Sequence, residues 1–236
     1  MSAGRQPTGN RLLDKLPEPD YRTISEKLEL VDLPLRAPIY ERDEVVEHAY
    51  FPINCVLSLV AQMSDGQAVE VATIGNEGVA GLPLFLQTRR TSEHRAFCQV
   101  AGSSLRMAAE TFLDCIDQVP SLRVQLQRYT MTLFAQVAQS SACNRLHPVE
   151  QRCARWLLLT HDRVSSDQFP LTQDFLAQML GVQRTSVNAV AQTLSEAGAI
   201  RYVRGVITVV DRPRLEAAAC ECYEIIAREA ERNGSG

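Results

Sequence analysis

Four polar side chains fall on one face of a predicted helix between residues 184 and 194, where their types and spacing suit contact with DNA bases. These are Arg184, Thr185, Asn188 and Gln192. An arginine fork hydrogen-bonds a guanine edge, and amides and hydroxyls bind other base edges or phosphates. The opposite face carries Val187, Val190 and Leu194 at i, i+3 and i+7, which predicts that it packs on the protein. The alternative is an ordinary amphipathic helix whose polar face meets only water.

A second helix is predicted immediately before this one, so that the two form a helix-turn-helix. Thr172 is a good N-cap residue, and Asp174 in the first turn suits the positive end of the helix dipole. Gly181 ends the helix because glycine adopts positive φ at no steric cost. Ala177, one turn earlier, is small enough to let the next helix approach. The pattern therefore predicts that the later of the two helices, between residues 184 and 194, protrudes as a recognition helix.

A β-hairpin is predicted directly after the two helices. Residues 200–210 form two short apolar runs that turn at Arg204-Gly205. A hairpin in this position is a wing beside the helix-turn-helix. Arg201 and Arg204 lie in it, and we expect both to contact DNA phosphates.

Charge is distributed unevenly along the chain. The whole chain is mildly acidic, with 24 Lys and Arg against 28 Asp and Glu. Between Pro148 and Arg214 there are eight Arg and no Lys against six acidic residues, a net charge of +2, which leaves −6 for the remainder. The predicted DNA-binding segment is therefore the basic one, and attraction of the whole chain to a polyanion is not expected.

The segment from Pro148 to Arg214 resembles the winged helix of the Crp/Fnr family of bacterial transcription regulators. The resemblance is carried by the runs HPVEQRCARWLLLTHDRV, LTQDFLAQMLGVQRTSVN and YVRGVITVVDRPRLE, and it extends from about Leu12 to Tyr223. It implies double-stranded DNA and RNA polymerase as partners. The family's recognition helix has an Arg, then an acidic residue, then a second Arg; here Arg184 matches the first, but Thr185 and Ala189 occupy the other two positions. We therefore expect an operator that differs from those of the best-known members.

The N-terminal half has the pattern of a β-domain. Turn residues at Asp65-Gly66, at 75–78 and at Gly102 separate short runs rich in Val, Leu and Ile. Residues 55–63 and 68–74 alternate well enough to form a hairpin. Several such strands predict a jelly roll or barrel. The family resemblance implies a cyclic-nucleotide-binding-like β-roll, so that the fold class is α+β.

A helical connector is predicted between the two parts, since residues 121–143 contain no Pro or Gly. Side chains at coiled-coil spacing along it are Leu122, Leu126, Tyr129, Leu133, Gln136 and Ser140. Family resemblance implies that this stripe forms a homodimer, which would place two recognition helices in successive major grooves. The alternative is that the stripe packs on its own β-domain. His147-Pro148 then breaks the helix, giving a β-roll at 1–118, a dimerisation helix at 119–147 and a winged helix-turn-helix at 148–236.

The predicted effector pocket departs from the cyclic AMP pattern. In family members that bind cyclic AMP, a Gly-Glu segment and a later Arg hold the ribose and the phosphate. Here Gly81 is present, but Leu82 stands where the Glu would be, so the ribose hydroxyl loses its acceptor. Arg95 is the nearest candidate for the phosphate, with Arg89 and Arg90 as alternatives. Another effector, or none, therefore remains open, and cyclic AMP is disfavoured.

Seven cysteines, an odd number, argue against a disulfide framework and for a reducing cytoplasm. They are Cys55, Cys98, Cys115, Cys143, Cys153, Cys220 and Cys222. The family's iron–sulfur sensors have a run of N-terminal cysteines, but no Cys precedes Cys55 here, so no such cluster is expected. Cys220-x-Cys222 alone cannot complete a tetrahedral site and is interpreted as packing. The four histidines are dispersed, so no metal site is assigned, and a haem role is left open.

The sequence as a whole predicts a cytoplasmic, homodimeric transcription regulator rather than an enzyme. Arg184 would contact a base, with Gln183, Thr185 and Asn188 completing the readout. The residues expected to position the DNA backbone are Gln192, Arg201 and Arg204. No apolar stretch approaches a membrane span, so no membrane partner is expected. Two alternatives are a constitutive DNA-binding protein without an effector and a jelly-roll enzyme fused to a DNA-binding domain.

Overall fold

The computed structural model describes residues 6–86 and 90–232 of the chain. Its helices are α1 (Arg11–Asp14), α2 (Glu18–Ser25), α3 (Leu82–Leu86), α4 (Ala109–Gln118), α5 (Pro120–Leu146), α6 (Val149–His161), α7 (Gln173–Leu180), α8 (Arg184–Glu196), α9 (Arg212–Ala218) and α10 (Cys222–Arg232). Its strands are β1 (Glu29–Leu33), β2 (Pro38–Tyr40), β3 (His48–Pro52), β4 (Val56–Gln62), β5 (Ala68–Ile74), β6 (Arg95–Val100), β7 (Gly102–Ala108), β8 (Gln168–Pro170), β9 (Ile200–Val203) and β10 (Val206–Val209). This order confirms the α+β class.

The chain divides into two compact units. One comprises Leu59–Thr73 and Ala135–Glu229, and we call it the winged-helix unit; the remaining described residues form the β-roll unit. The long helix α5 contributes to both units, as does the β4–β5 hairpin. The domain boundaries predicted from the sequence therefore stay a prediction.

The strands that precede α4 form two sheets, with strand orders β1-β7-β3 and β2-β6-β4-β5. The predicted hairpin is confirmed as β4 and β5, and Gly66 in its turn has a φ of 85°. Phe51 and Phe112 are fully buried in the β-roll unit and meet edge to face, with ring centroids 6.0 Å apart. Aromatic burial of this kind anchors α4 to the first sheet.

Strand β1 is an element that sequence periodicity does not reveal. Of its five residues only Leu33 is buried, and Leu30 is exposed, so the apolar alternation of a half-buried strand is missing. It is held instead by pairing along β7, where Glu29 accepts a hydrogen bond from Arg106 at 2.8 Å. Pairing with a distant strand is tertiary information, which explains why the sequence pattern fails here.

Helix α5 has 27 residues and is therefore about 40 Å long. Its predicted dimer stripe needs correction, because most of those side chains are covered within the chain itself. The buried members are Leu122, Leu126, Tyr129, Gln136 and Ser140, and Leu133 is half-buried. A side chain at Gly78 would clash with the Tyr129 ring, and the Gln136 amide lies 3.0 Å from the Thr73 hydroxyl. This stripe therefore packs against other elements of the same chain, which is the alternative considered from the sequence.

A different face of α5 is apolar and exposed. Val124, Met131 and Phe134 keep 43%, 61% and 67% of their surface accessible. Their spacing of seven and then three residues is that of a coiled-coil seam. We call these three exposed residues the outer stripe of α5.

The winged-helix unit contains a three-stranded sheet of order β8-β10-β9. Strands β9 and β10 are the predicted wing, and both turn residues, Arg204 and Gly205, have positive φ, at 48° and 77°. Strand β8 was not predicted from the sequence; it pairs with β10 and buries Phe169. In the same unit Trp156 of α6 donates a hydrogen bond from Nε1 to Glu70 Oε1 at 2.7 Å, which satisfies a buried carboxylate.

None of the helices in the described part of the chain has both the length and the apolar character needed to cross a membrane.

Candidate nucleic-acid interface

Helix α7 begins and ends as the sequence predicts. The Thr172 hydroxyl accepts a hydrogen bond from the Phe175 backbone N–H at 3.2 Å and so caps the helix. Gly181 ends it in the left-handed conformation, with a φ of 63°. Ala177 is buried where α7 packs against α8. The turn between the two helices thus depends on Gly181, which takes a positive φ, and on the small side chain of Ala177.

Helix α8 buries one face and exposes the other. Val187 and Leu194 are buried as predicted, but the side chain between them that is buried is Ala191, whereas Val190 is only half-buried. The exposed side chains of α8 include Arg184, Thr185, Asn188 and Gln192, and the N-cap residue Gln183 is exposed as well. Every residue that the sequence assigned to base readout therefore lies on the accessible surface.

Several of the exposed polar groups on α8 have protein partners. Arg184 Nη1 lies 3.5 Å from Asp174 Oδ1 of α7. Asn188 Oδ1 accepts a hydrogen bond from Gln173 at 2.9 Å, and Gln192 donates one to Glu196 at 2.8 Å. The Arg184 and Asp174 side chains are 65% and 71% exposed, so water screens their pair and it is worth little. Arg184 can therefore exchange Asp174 for another acceptor at small cost.

The first turn of α8 favours an anion in front of it. It contains no acidic residue, and Arg184 adds a positive side chain. The unpaired N–H groups at a helix N-terminus carry partial positive charge and bind phosphate or a base acceptor. This end of α8 is suited to contact with a polyanion.

The arginines of the basic segment divide into two groups, a division that formal charge does not reveal. Arg152, Arg155 and Arg163 are buried, and Arg163 donates to the Leu159 carbonyl at 2.6 Å. Arg212 donates to Asp162 at 2.6 Å, and Arg214 donates to the Ala197 carbonyl at 2.8 Å. These five arginines have partners within the protein, although the Arg214 side chain remains 62% exposed.

The remaining three arginines of the segment, Arg184, Arg201 and Arg204, are exposed. They lie on α8 and on the wing hairpin, which are the elements predicted to meet DNA. The net charge of the segment is thus a poor guide by itself, because three of its eight arginines are buried and two more, Arg212 and Arg214, are bonded to other groups of the protein. The positions of Arg184, Arg201 and Arg204 are the informative feature.

The predicted effector residues lie in different surroundings. A Cβ on Gly81 would come within 2.9 Å of the Ala49 Cβ, so close packing explains this glycine, and Leu82 begins α3 with its side chain buried. The Arg95 guanidinium lies 3.0 Å from Glu41 Oε1 and 5.1 Å from the Phe97 ring centroid. Of the two alternatives, Arg90 pairs with Glu110, with Nη2 to Oε2 at 2.9 Å, and Arg89 falls outside the described residues. An effector role for Gly81, Leu82 and Arg95 stays a prediction.

A basic cavity elsewhere in the β-roll unit was not predicted from the sequence. Arg11, Lys15, Glu77, Arg128 and Tyr129 line it. Burial lowers the pKa of Lys15, and the positive charges of Arg11 and Arg128 lower it further. An anion bound there would relieve this repulsion.

The structure also brings together cysteine and histidine side chains that sequence reasoning kept apart. Cys143, His147, Cys220 and Cys222 offer ligand atoms that lie within 4.8 Å of one another. Cys143 and His147 are four residues apart, a spacing that puts two side chains on the same face of a helix. This spacing is the one feature of the sequence that could have indicated a shared metal site. Their proximity to Cys220 and Cys222 depends on the tertiary fold.

Residues 151–218 match the Crp-like helix-turn-helix domain family. This match covers nearly all of the segment from α6 to α9, and the chain is similar in fold to solved structures of Crp/Fnr family regulators. Among curated proteins, none matches the chain by sequence.

Three solved structures illustrate the likeness of fold. FixK2 from Bradyrhizobium japonicum is 16% identical with a TM-score of 0.67, over 82% of this chain and 98% of that one. A Crp/Fnr family regulator from Eubacterium rectale is 15% identical with a TM-score of 0.67, over 88% and 96%. CLP, a c-di-GMP responsive regulator of Xanthomonas campestris, is 13% identical with a TM-score of 0.65, over 83% and 100%.

Proposed function

We propose that this chain regulates transcription in the bacterial cytoplasm by binding double-stranded DNA as a homodimer. The observation that carries the proposal is the geometry of α8: Val187, Ala191 and Leu194 anchor one face, and the opposite face presents its polar side chains to solvent. A helix held in this way fits the major groove of B-DNA. The family match over residues 151–218 supports the same conclusion.

The exposed residues take distinct roles in this proposal. Arg184 binds a base edge, guanine above all, because its fork matches the O6 and N7 acceptors. Gln183, Thr185 and Asn188 complete the base readout. Gln192, Arg201 and Arg204 contact the phosphate backbone and fix the position of the protein on the duplex.

The homodimer forms through the outer stripe of α5, formed by Val124, Met131 and Phe134. Exposed apolar side chains at heptad spacing on a helix of about 40 Å suit a two-chain helical packing. A two-fold dimer places two recognition helices about 34 Å apart and reads a near-palindrome. Most of the stripe first predicted from the sequence is unavailable for this contact, because five of its six side chains are buried within the chain.

Regulation by an effector and constitutive binding are both compatible with this DNA-binding role. An effector is supported by analogy with CLP, which is described as c-di-GMP responsive. Constitutive binding is supported by the buried Leu82 and by the Arg95–Glu41 pair, which occupy two of the expected effector positions. Footprinting with and without cell metabolites separates the two. If a metabolite changes the footprint, loss of its effect in Arg95→Ala or in Arg128→Ala identifies the pocket. RNA polymerase is the further partner in this proposal.

Selection of bound fragments from random double-stranded DNA tests the proposed function. We expect enrichment of a near-palindrome whose half-sites are centred about 10 base pairs apart, one helical turn. Recovery of no common sequence at physiological salt, from protein shown to be folded, would overturn the proposal. Enrichment of a single asymmetric half-site would retain DNA reading but overturn the symmetric dimer.

A further inference from the structure

Four potential metal ligands converge at the C-terminal end of α5. Cys143 and His147 come from α5 and the residue after it, Cys220 lies between α9 and α10, and Cys222 is the first residue of α10. All four ligand atoms lie within 4.8 Å of one another. The three cysteine side chains are buried and His147 is half-buried. They belong to the winged-helix unit and are separate from the exposed face of α8.

Two distances within this cluster are close to those between the ligands of a tetrahedral ion. Cys143 Sγ lies 3.5 Å from Cys220 Sγ, and Cys222 Sγ lies 3.5 Å from His147 Nδ1. Zinc bonds of about 2.3 Å to sulfur and about 2.0 Å to nitrogen, at tetrahedral angles, imply S···S and S···N separations of about 3.8 and 3.5 Å. These two pairs are already close to that spacing, and because every pair lies within 4.8 Å, an ion at the centre requires shifts on the order of 1 Å or less.

Neighbouring side chains provide the outer contacts that a metal site needs. His147 Nε2, the nitrogen that faces away from the cysteines, lies 3.3 Å from Glu221 Oε1. A carboxylate in this position orients a histidine ligand and makes it more basic. Gln139 Nε2 donates a hydrogen bond to Cys222 Sγ at 3.0 Å. The buried Arg155 interacts electrostatically with Cys143 and opposes the net negative charge of three thiolates and one divalent cation.

We propose that Cys143, His147, Cys220 and Cys222 bind one Zn²⁺ ion. Three thiolates and one imidazole in a tetrahedral set select zinc among the common divalent cations. All four positions are filled by protein, so the site is structural rather than catalytic. The ion ties the end of α5 to the segment that joins α9 and α10, 77 residues further along the chain from Cys143 to Cys220. It thereby holds the junction from which α6 and the winged helix begin.

Metal analysis of the full chain, purified under reducing conditions without chelator, tests the site directly. We expect one zinc ion per chain. After zinc is removed, Co²⁺ should bind with thiolate-to-cobalt charge-transfer absorption and the visible bands of tetrahedral cobalt. Iron with inorganic sulfide, a Cys143–Cys220 disulfide in the freshly purified protein, or reduced thiols that take up neither metal would each overturn the proposal.

Variants assign the ligands individually. We expect Cys222→Ala to weaken Co²⁺ binding by more than 100-fold and Glu221→Gln to weaken it by about 10-fold, the smaller effect typical of an outer-shell partner. His147→Cys should keep the affinity within about 10-fold and strengthen the charge-transfer band, because it replaces a nitrogen with a sulfur. This variant and Glu221→Gln keep the site testable if Cys222→Ala does not fold.

Cys153→Ala is the matched control. Cys153 is a buried cysteine of α6 in the same unit, and it is not one of the four clustered ligand residues. Its removal should leave metal binding unchanged. Equal loss of Co²⁺ binding in Cys153→Ala and Cys222→Ala, with both variants folded by circular dichroism, would contradict the assigned ligand set. These measurements do not involve DNA, so their outcome is independent of the proposed function.

Discussion

Helices α8 and α5 differ in how many apolar faces they carry, and the difference separates the surface proposed to bind DNA from the surface proposed to bind a second chain. Helix α8 buries Val187, Ala191 and Leu194, and its other face is polar. Helix α5 buries one stripe within the chain and exposes a second one that includes Met131 and Phe134. A polar exposed face is satisfied by water until DNA replaces it, whereas an exposed apolar stripe favours cover by another protein surface.

The inner and outer stripes of α5 should respond very differently to truncation, which gives the largest expected effect. Leu126→Ala leaves a cavity in the β-roll unit and should lower the free energy of unfolding by about 2–5 kcal/mol. Phe134→Ala should cost less than about 1 kcal/mol, because two thirds of that side chain is already exposed. Urea unfolding at a concentration where the chain is monomeric measures both. Equal losses would contradict the distinction between the stripes.

The outer stripe should instead control self-association. Phe134→Asp should raise the dimer dissociation constant at least about 30-fold, which corresponds to a hot-spot loss of about 2 kcal/mol. Analytical ultracentrifugation measures this change. Leu30→Asp, at a similarly exposed apolar residue of β1, is the control and should leave the dimer intact. A dimer that survives Phe134→Asp but not Leu30→Asp would place the interface elsewhere.

The contrast between α8 and α5 also explains which features could be predicted from the sequence. Thr172, Gly181 and Arg204-Gly205 act locally, so the start and end of α7 and the turn of the wing follow from residue types alone. On α8 a single apolar stripe leaves little choice of buried face, although Ala191 rather than Val190 completes it. Alanine is only weakly apolar, so its position in the sequence is a weak indication of which helix face is buried.

The features that the sequence did not reveal depend on contacts between distant residues. On α5 two apolar stripes compete, and only the positions of Gly78 and Thr73 show which one is covered. The zinc ligands Cys143 and Cys220 are likewise brought together by the tertiary fold. Burial of Arg152, Arg155 and Arg163 cannot be read from composition, so the basic charge of the segment was overestimated as an indicator of DNA contact.

Removing the N-cap of α7 should have a moderate effect on stability. Thr172→Ala loses the hydrogen bond to the Phe175 N–H and should destabilise the protein by about 1 kcal/mol. Thr172→Ser keeps the hydroxyl and should behave like the unchanged protein. Thermal unfolding compares the two variants, and identical melting temperatures for the Ala and Ser variants would show that the cap is unimportant.

Truncation of a wing arginine should have the smallest effect, a loss of DNA affinity that does not depend on base sequence. Arg204→Ala removes a phosphate contact, so it should weaken binding to all sequences alike and reduce the slope of log affinity against log salt by about 1. Titration of selected and random duplexes at several salt concentrations measures both quantities. A change in base preference in this variant would instead place Arg204 at a base edge.

Base discrimination by Arg184 tests the central claim most directly. Affinities of the unchanged protein and of Arg184→Ala are compared on the selected site and on all its single-base variants. Asp174→Asn, which removes the negative charge beside Arg184 but keeps the guanidinium, is the control. The account predicts that Arg184→Ala loses about 1–3 kcal/mol of discrimination at one base pair in each half-site, while Asp174→Asn keeps it. An unchanged ranking of bases in Arg184→Ala would contradict the assignment of α8 as the recognition helix.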